Sequence, residues 1–456
     1  MSIALPKPFI ESLTREMGDV EASALCEALE GESPTSIRVN PFKMSSPPAF
    51  TPIGWSRYGF YLEQRPSFTH DSDFHAGVYY VQEASSQFVG HILSTIPDEV
   101  EGCRLLDMCA APGGKSTLYS TLVGLDGLVV ANEINRSRAS ILADNIRKWG
   151  LGNVVVSSND SSHYAEAQGW FDIVAVDAPC SGEGMFRKMA EAREEWSEGG
   201  VKMCAQRQAE ILANAWQALK AGGVLIYSTC TFNRSENEGV LEAFVEEVGD
   251  ELTAFEGVEV PEEWGVVCAE VGAFQTFRLM PHRVDGEGLF VAVARKSFDS
   301  GGKKRFPKAR KKIFSNVEKQ ALRELRSWVN QPEEMTFAVV GDSVYGYYVS
   351  QMESVKRLAE SFTVIYSGVA MGQLYAGKLK PDGALAQFHD LNRERVPMSE
   401  LEREQALCYL RKGDIDPELF DEGINLVASN GYALGWIKRM GRRVNNLYPN
   451  TLRILK

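Results

Sequence analysis

Three things are scarce in this sequence, and each scarcity narrows the possibilities. No apolar run in the 456 residues approaches the ~18 needed to cross a membrane. The first residues, broken by Pro6 and Pro8, form no hydrophobic signal core. A cytoplasmic protein is therefore expected. The eight cysteines form no C-x-x-C pair, and the six histidines do not cluster with them. Neither a disulfide framework nor a metal site is expected from that pattern. Cations are also short: 48 Lys and Arg stand against 61 Asp and Glu, a net charge of -13. Nucleic-acid binding needs cations at phosphates, so any such contact must come from local patches.

The length suggests about three domains at ~150 residues each. Residues 1–76 read as a small α/β extension, with a helical pattern from Pro8 to Leu29 and short segments around Ser36–Pro41. From residue 77 to 297, apolar runs alternate with amphipathic stretches, the pattern of an α/β, Rossmann-like sheet. The predicted strands are Arg104–Met108, Leu128–Asn132, Asn153–Ser157, Phe171–Val176, Val224–Ser228 and Leu289–Ala294. Their nearly continuous Val, Leu and Ile content fits strands buried on both faces. Helices are predicted over Ser137–Trp149 and Met203–Leu219, with Gly222-Gly223 as the stop and turn into the next strand. Residues 298–314 carry Gly, Pro and seven cations without hydrophobic period, and read as a basic linker or exposed arm. A small α/β unit (315–383) and a last unit (384–456) follow, divided near Lys380-Pro381-Asp382-Gly383.

The first predicted strand runs into Cys109-Ala110-Ala111-Pro112-Gly113-Gly114-Lys115 and then a helix. Small residues there let backbone N–H groups approach a ligand at the carboxyl edge of a parallel sheet. The loop is not G-x-G-x-x-G. Nor is it the phosphate-binding G-x-x-x-x-G-K-[ST], since Cys109 stands where its first glycine belongs. The next three strands end in Glu133, in Asn159-Asp160 and in Asp177. Glu133 is placed to hold ribose hydroxyls and Asn159-Asp160 an adenine amine. A loop followed by three acids at successive strand ends is a layout suited to S-adenosylmethionine.

Two cysteines also fall at neighbouring strand ends: Cys180 behind Asp177-Ala178-Pro179, and Cys230 within Ser228-Thr229-Cys230-Thr231. A lone cysteine is usually a small core residue. Two at one sheet edge beside a methyl-donor site point to covalent catalysis on a pyrimidine. Carbon 5 of cytosine is a weak nucleophile, and a thiolate added to carbon 6 turns it into an enamine carbon. Asp177 could bond N3 or the exocyclic amine, with the base turned out of its stack.

These residues resemble the NOL1/NOP2/Sun RNA (cytosine-5) methyltransferases, and within them the RsmF-type bacterial ribosomal RNA enzymes. The resemblance is carried by Tyr80–Ser86, Asp107–Lys115, Asp177–Cys180 and Ser228–Thr231, with Ser181–Lys188, Lys438–Arg443 and Tyr448-Pro449 matching the RsmF group. It implies that Cys109 to Lys115, Glu133, Arg138, Asp160 and Asp177 contact S-adenosylmethionine. It implies Cys230 as nucleophile, Cys180 in release of the methylated base, and Lys115 near the target base; spacing alone does not order the two cysteines. A Rossmann-like core, a C-terminal PUA-like RNA-binding unit and a substrate in 16S rRNA near the decoding site are also implied. The expected partner is 16S rRNA or the small ribosomal subunit, met by a monomer without metal. The basic arm (Lys303, Lys304, Arg305, Lys308, Arg310, Lys311, Lys312) and Lys438–Arg443, with Trp436 and Tyr448 as stacking surfaces, are the candidate RNA patches.

Other readings compete. Methylation of an amino nitrogen would call for Asn or Asp-Pro-Pro-aromatic after the fourth strand, not Asp177-Ala178-Pro179-Cys180. A cytosine-5 enzyme for transfer RNA or DNA is poorly distinguished by sequence. A non-catalytic assembly or RNA-binding factor is disfavoured by the intact loop and Cys230.

Overall fold

In the computed structural model of the chain, residues 3–44, 48–96, 100–298 and 305–455 are described. Gly18, with φ of 82°, breaks the N-terminal helical pattern into two helices, Lys7–Met17 and Asp19–Glu30. A four-stranded antiparallel sheet follows, built from β1 (Thr35–Val39), β2 (Thr51–Pro52), β3 (Gly59–Leu62) and β4 (Tyr79–Val81) in the order β2-β3-β1-β4.

The core sheet begins with β5 (Arg104–Asp107), β6 (Leu128–Asn132), β7 (Val154–Ser157), β8 (Phe171–Asp177) and β9 (Leu219–Thr229). These five run parallel in the order β9-β8-β5-β6-β7. Every residue of β6 and β7 is buried, as strands covered by helices on both faces must be. Their carboxyl ends are level. Asp107 lies opposite Ala131 and Ala175, Asn132 opposite Ser157, and Asp177 opposite Ser228. The chain reverses its direction across the sheet between β5 and β8, which opens a crevice at that edge. Beyond β9 the antiparallel strands β10 (Leu252–Thr253), β11 (Val267–Val271), β12 (Phe274–Leu279) and β13 (Leu289–Lys296) complete that side.

One predicted turn is corrected. The helix Glu198–Ala218 passes directly into β9 at Leu219, and Gly222-Gly223 lie inside the strand. Gly222 has φ of 74°, and the pairing with β8 shifts register between Phe171 and Ile173. The glycines make a bulge, not a helix stop.

The basic stretch is a docked strap. Phe306 packs on Trp170 and Phe362, and Arg357 stacks over it. The backbone of Arg305 and Arg310 donates to Gln168 and Glu360. Lys303 and Lys304 lie outside the described residues.

Two further sheets follow. One contains β14 (Ser315–Asn316), β15 (Met335–Val340), β16 (Ser343–Tyr348), β18 (Val369–Tyr375) and β19 (Lys378–Pro381). The strand between β16 and β18, β17 (Val364–Ser367), leaves that sheet and pairs antiparallel with β7 of the core. The last sheet contains β20 (Met398–Glu400), β21 (Gly423–Ser429), β22 (Tyr432–Met440) and β23 (Arg443–Asn446). Lys438, Arg442 and Arg443 are exposed on its β22–β23 hairpin. Trp436 and Tyr448 are not the stacking surfaces expected of them. Both are buried: Trp436 donates to the Asp382 carbonyl and packs edge-on against Trp328, and Tyr448 packs on Tyr409. Among the described residues no helix is long and apolar enough to cross a membrane.

Candidate active site

The loop after β5 is shaped by its glycines. Gly113 has φ of 112°, and a Cβ there would meet Leu142 at 3.0 Å. The helix Gly114–Leu122 starts at once, so its first N–H groups face the sheet edge. Asp107 accepts from the Ser116 hydroxyl at 2.6 Å. Its other oxygen is buried without a partner, and burial pushes its carboxyl up to about 7.

Asn132, at the end of β6, ties the strand ends together. Its amide donates to the carbonyls of Met108 and Asn159, and its oxygen accepts from the Asn159 N–H and the Ser157 hydroxyl. The adjacent Glu133 is buried and accepts from the Asn135 N–H. Arg138 lies 3.4 Å from Glu133 and donates to the Ala111 carbonyl at 3.0 Å. Arg138 thus links the glycine loop to the acid of the next strand.

Asn159 and Asp160 part company. Asn159 spends both ends of its amide on the backbone of Thr363, at 3.0 and 3.2 Å. It braces the segment entering β17. Asp160 caps the helix Ser161–Ala165, accepting from the Ser162 N–H and hydroxyl through one oxygen. Its other oxygen takes no part in those bonds.

Lys115 and Asp177 meet across the crevice, with Nζ 2.8 Å from Oδ1. The same oxygen accepts from the Ser228 hydroxyl at 2.9 Å. Burial works against the charge of Lys115, but Asp177 outweighs it and holds the ammonium above its ordinary pKa. Asp177 remains open to a ligand, with 36% of its side chain exposed.

The two cysteines face each other from the loops after β8 and β9, their sulfurs 3.2 Å apart. The Cys180 thiol is pushed well above its ordinary pKa, first by its hydrogen bond to Cys230 and then by burial. The loops are cross-braced. The Gly184 N–H donates to the Cys230 carbonyl at 2.7 Å, and a Cβ on Gly184 would collide with that oxygen. Two buried carboxylates complete the brace. Glu183 accepts from the N–H groups of Phe232 and Asn233. Glu236 accepts from the Ser181 N–H and from Gln208. The Asn233 amide lies between them, at 2.9 Å from Glu183 and 2.8 Å from Glu236. Sequence patterns gave these residues no role. The one signal was polar density, with Asn233, Glu236 and Asn237 closely following Cys230.

The N-terminal sheet braces the loop from the other side. Arg38 is wholly buried, stacks on Trp149, and donates to Gln82, the Gly114 carbonyl and Thr117. Burial lowers its guanidinium to about 9. Gln82 comes from the Tyr80–Ser86 motif, and its bond to Arg38 gives that motif a place beside the loop.

Comparison with known proteins agrees with this arrangement. Residues 94–295 match the family model described as 16S rRNA methyltransferase RsmB/F. Residues 5–84 match the N-terminal domain of 16S rRNA methyltransferase RsmF, and residues 397–454 the methyltransferase RsmF PUA domain. The ribosomal RNA small subunit methyltransferase F of Aliivibrio fischeri is 31% identical over 419 residues, covering 88% of this chain and 85% of that protein. This chain belongs to the ribosomal RNA small subunit methyltransferase F family. The Vibrio parahaemolyticus relative is 30% identical over 484 residues, covering 99% of this chain and 98% of that protein. A solved methyltransferase homolog from Pyrococcus horikoshii superposes with a TM-score of 0.53 at 29% identity, covering 64% of this chain and 96% of its own.

The protein is an S-adenosylmethionine-dependent methyltransferase of that family, and the crevice fits the cofactor. The orphaned oxygen of Asp107, the free helix N-terminus and the acids of successive strands supply acceptors and donors for an amino acid and a ribose. Among the described residues no group of three or more His, Cys, Asp and Glu is placed to hold a metal.

Proposed function

We propose that this enzyme methylates carbon 5 of a specific cytosine in small-subunit 16S rRNA, in the decoding region, through a covalent bond from Cys230 to carbon 6. The observation that carries the reading is the pair of sulfurs 3.2 Å apart beside the Lys115–Asp177 pair. S-adenosylmethionine, when bound, supplies an electrophilic methyl group. Cys109 to Lys115, Glu133, Arg138, Asp160 and Asp177 are the residues to hold it.

The rest of the chemistry belongs to the chain. The Cys230 thiolate adds to carbon 6, the 5,6 double bond opens, and carbon 5 becomes nucleophilic. A thiolate is a better nucleophile than a thiol, and the S–H of Cys180 can donate to it. Asp177 accepts from the exocyclic amine, or from N3 once that nitrogen is protonated, and so steadies the adduct. Lys115 pairs with Asp177 at 2.8 Å and reaches toward the same base. After carbon 5 is alkylated it gives its proton to a water or hydroxide from solvent. The C–H electron pair re-forms the 5,6 double bond, and the S–C6 bond breaks with its electron pair leaving on the Cys230 sulfur. Cys180, the neighbour of the departing sulfur, assists that release. The target base must be turned out of its stack to reach the crevice.

RNA is held elsewhere. Lys308, Arg310, Lys311 and Lys312 are exposed on the docked strap, and Lys438, Arg442 and Arg443 on the C-terminal hairpin. They supply the local positive surface that the net charge of -13 denies the chain as a whole. The setting is the cytoplasm, with the rRNA or the small subunit as partner.

The test is methyl transfer from labelled S-adenosylmethionine to naked 16S rRNA, purified small subunits and bulk transfer RNA, with bisulfite mapping. A 5-methylcytosine signal in rRNA or subunits that needs Cys230 is the expected result. A signal confined to transfer RNA would move the substrate. Binding without transfer to any of the three would favour an assembly factor.

A further inference from the structure

A second concave site lies on the far side of the glycine loop. It is an open cleft of about 490 Å³ between the N-terminal sheet and the helix Arg136–Trp149. Its wall includes Arg65, Phe68, Phe74, Tyr80, Asn145 and Lys148. Three aromatic rings, two cations and an amide are the groups that recognise an unstacked nucleotide: rings for the base, cations for the phosphates, the amide for a base edge. Neither cation is neutralised by a carboxylate among the described residues. Arg65 stacks over Phe68, and Lys148 over Phe74 with Nζ 3.9 Å from the ring centre. The nearest acid on the helix, Asp144, is taken by Arg147 at 2.7 Å. Burial lowers Lys148 to about 8 against the opposing pull of Asp144, and a phosphate would add further counter-charge.

The position of the cleft is as telling as its lining. Asn145 donates to the Pro112 carbonyl at 2.9 Å, inside the glycine loop. The ring of Tyr80 lies beside Gly114, 3.4 Å from where a Cβ would stand. On the opposite flank, Asp73 next to Phe74 accepts from Asn430 of the C-terminal unit. One wall of the cleft is therefore the back of the loop that carries Lys115, and the other leads to the C-terminal sheet.

We propose that this cleft is a docking site for a nucleotide of the substrate RNA flanking the target, its base against the aromatic wall and its phosphates on Arg65 and Lys148. The inference rests on the proposed RNA substrate and adds a second point of grip.

The test uses the full chain and a decoding-region fragment of 16S rRNA. Arg65→Gln with Lys148→Met should raise the RNA KM roughly tenfold while leaving kcat within about twofold and S-adenosylmethionine affinity unchanged. The slope of log affinity against log salt should fall by ~1.4, about 0.7 for each single-strand phosphate deprived of its cation. Arg65→Gln alone, at an exposed side chain, should give half that change in slope and answers for a double variant that melts early. Unchanged KM and unchanged slope would overturn the proposal. So would millimolar AMP, CMP, GMP and UMP protecting Lys148 from acylation when the RNA does not, since the cleft would then serve free nucleotides. Filter binding of the same RNA tests the cleft even if no methyl transfer occurs, which separates its failure from failure of the proposed reaction.

Discussion

The sulfur of Cys180 lies 3.2 Å from the sulfur of Cys230, close enough for one thiol to hydrogen-bond the other. The raised pKa of Cys180 keeps that residue in the donor role. Cys230→Ala should therefore abolish methyl transfer. Cys180→Ala should still attack but fail to release, leaving a covalent RNA adduct visible as a shifted band on a denaturing gel. Normal turnover by Cys180→Ala would reverse this division of labour.

Lys115→Met removes the partner of Asp177 and the cation that the proposed reaction sets beside the base. A fixed electrostatic interaction of that kind is worth about 100- to 1,000-fold in kcat. The expected loss is of that order, with RNA affinity little changed. Single-turnover methylation at saturating RNA would check it.

Glu236 holds the Ser181 N–H, Gln208 and Asn233 together. Glu236→Ala would leave the Ser181 N–H unpaired, at ~1–3 kcal/mol if it stays buried, while Gln208 keeps the Pro179 carbonyl and Asn233 keeps Glu183 and Thr231. Glu236→Gln keeps one acceptor and should cost less. Thermal melting should rank the wild type above the Gln variant and the Ala variant last. Both should lose kcat while retaining RNA binding, because the brace ties together the loops that carry the two sulfurs.

His389 sets an acid limit on stability. Burial, with Lys43 nearby, lowers its pKa to about 4, and Tyr348 hydrogen-bonds its Nε2 at 2.7 Å. An unfolded histidine titrates near ~6.5. Between those values the unfolded chain binds more protons than the folded one, so stability falls as pH drops through the window. Melting temperatures from pH 7 to 4 should show this, and His389→Phe should flatten the slope.

Lys308, Arg310, Lys311 and Lys312 form no ion pair with other described residues. Changing all four to Gln should reduce the salt dependence of RNA binding by up to about 0.7 per cation. Folding should be unaffected, because Phe306 and the backbone bonds of Arg305 and Arg310 dock the strap. Equal slopes for variant and wild type would make the strap purely structural.

The core strands were legible because burial on both faces leaves an unbroken apolar run. Leu128–Asn132 appears in the structure with the predicted bounds, and the others differ mainly at their ends. Gly222-Gly223 misled because glycines mark both helix stops and bulges, and only the pairing with β8 decides between them. Trp436 and Tyr448 misled because an aromatic near cations can face either solvent or core. The Glu183–Asn233–Glu236 brace was illegible for a different reason: it joins residues 50 apart across two loops, and no local pattern encodes that distance. Arg38 was hidden likewise, since a lone arginine in a strand gives no sign that it reaches the loop 76 residues on.

The antiparallel pairing of β17 with β7 bears on how the chain can be divided. Without residues beyond 297, Val154–Ser157 would be a bare strand margin of three valines and a serine, with open N–H and C=O groups. Such a margin is a template for a second molecule. The polypeptide that follows the catalytic core therefore also protects it from self-association, and a shortened protein would be expected to aggregate before its catalytic competence could be measured.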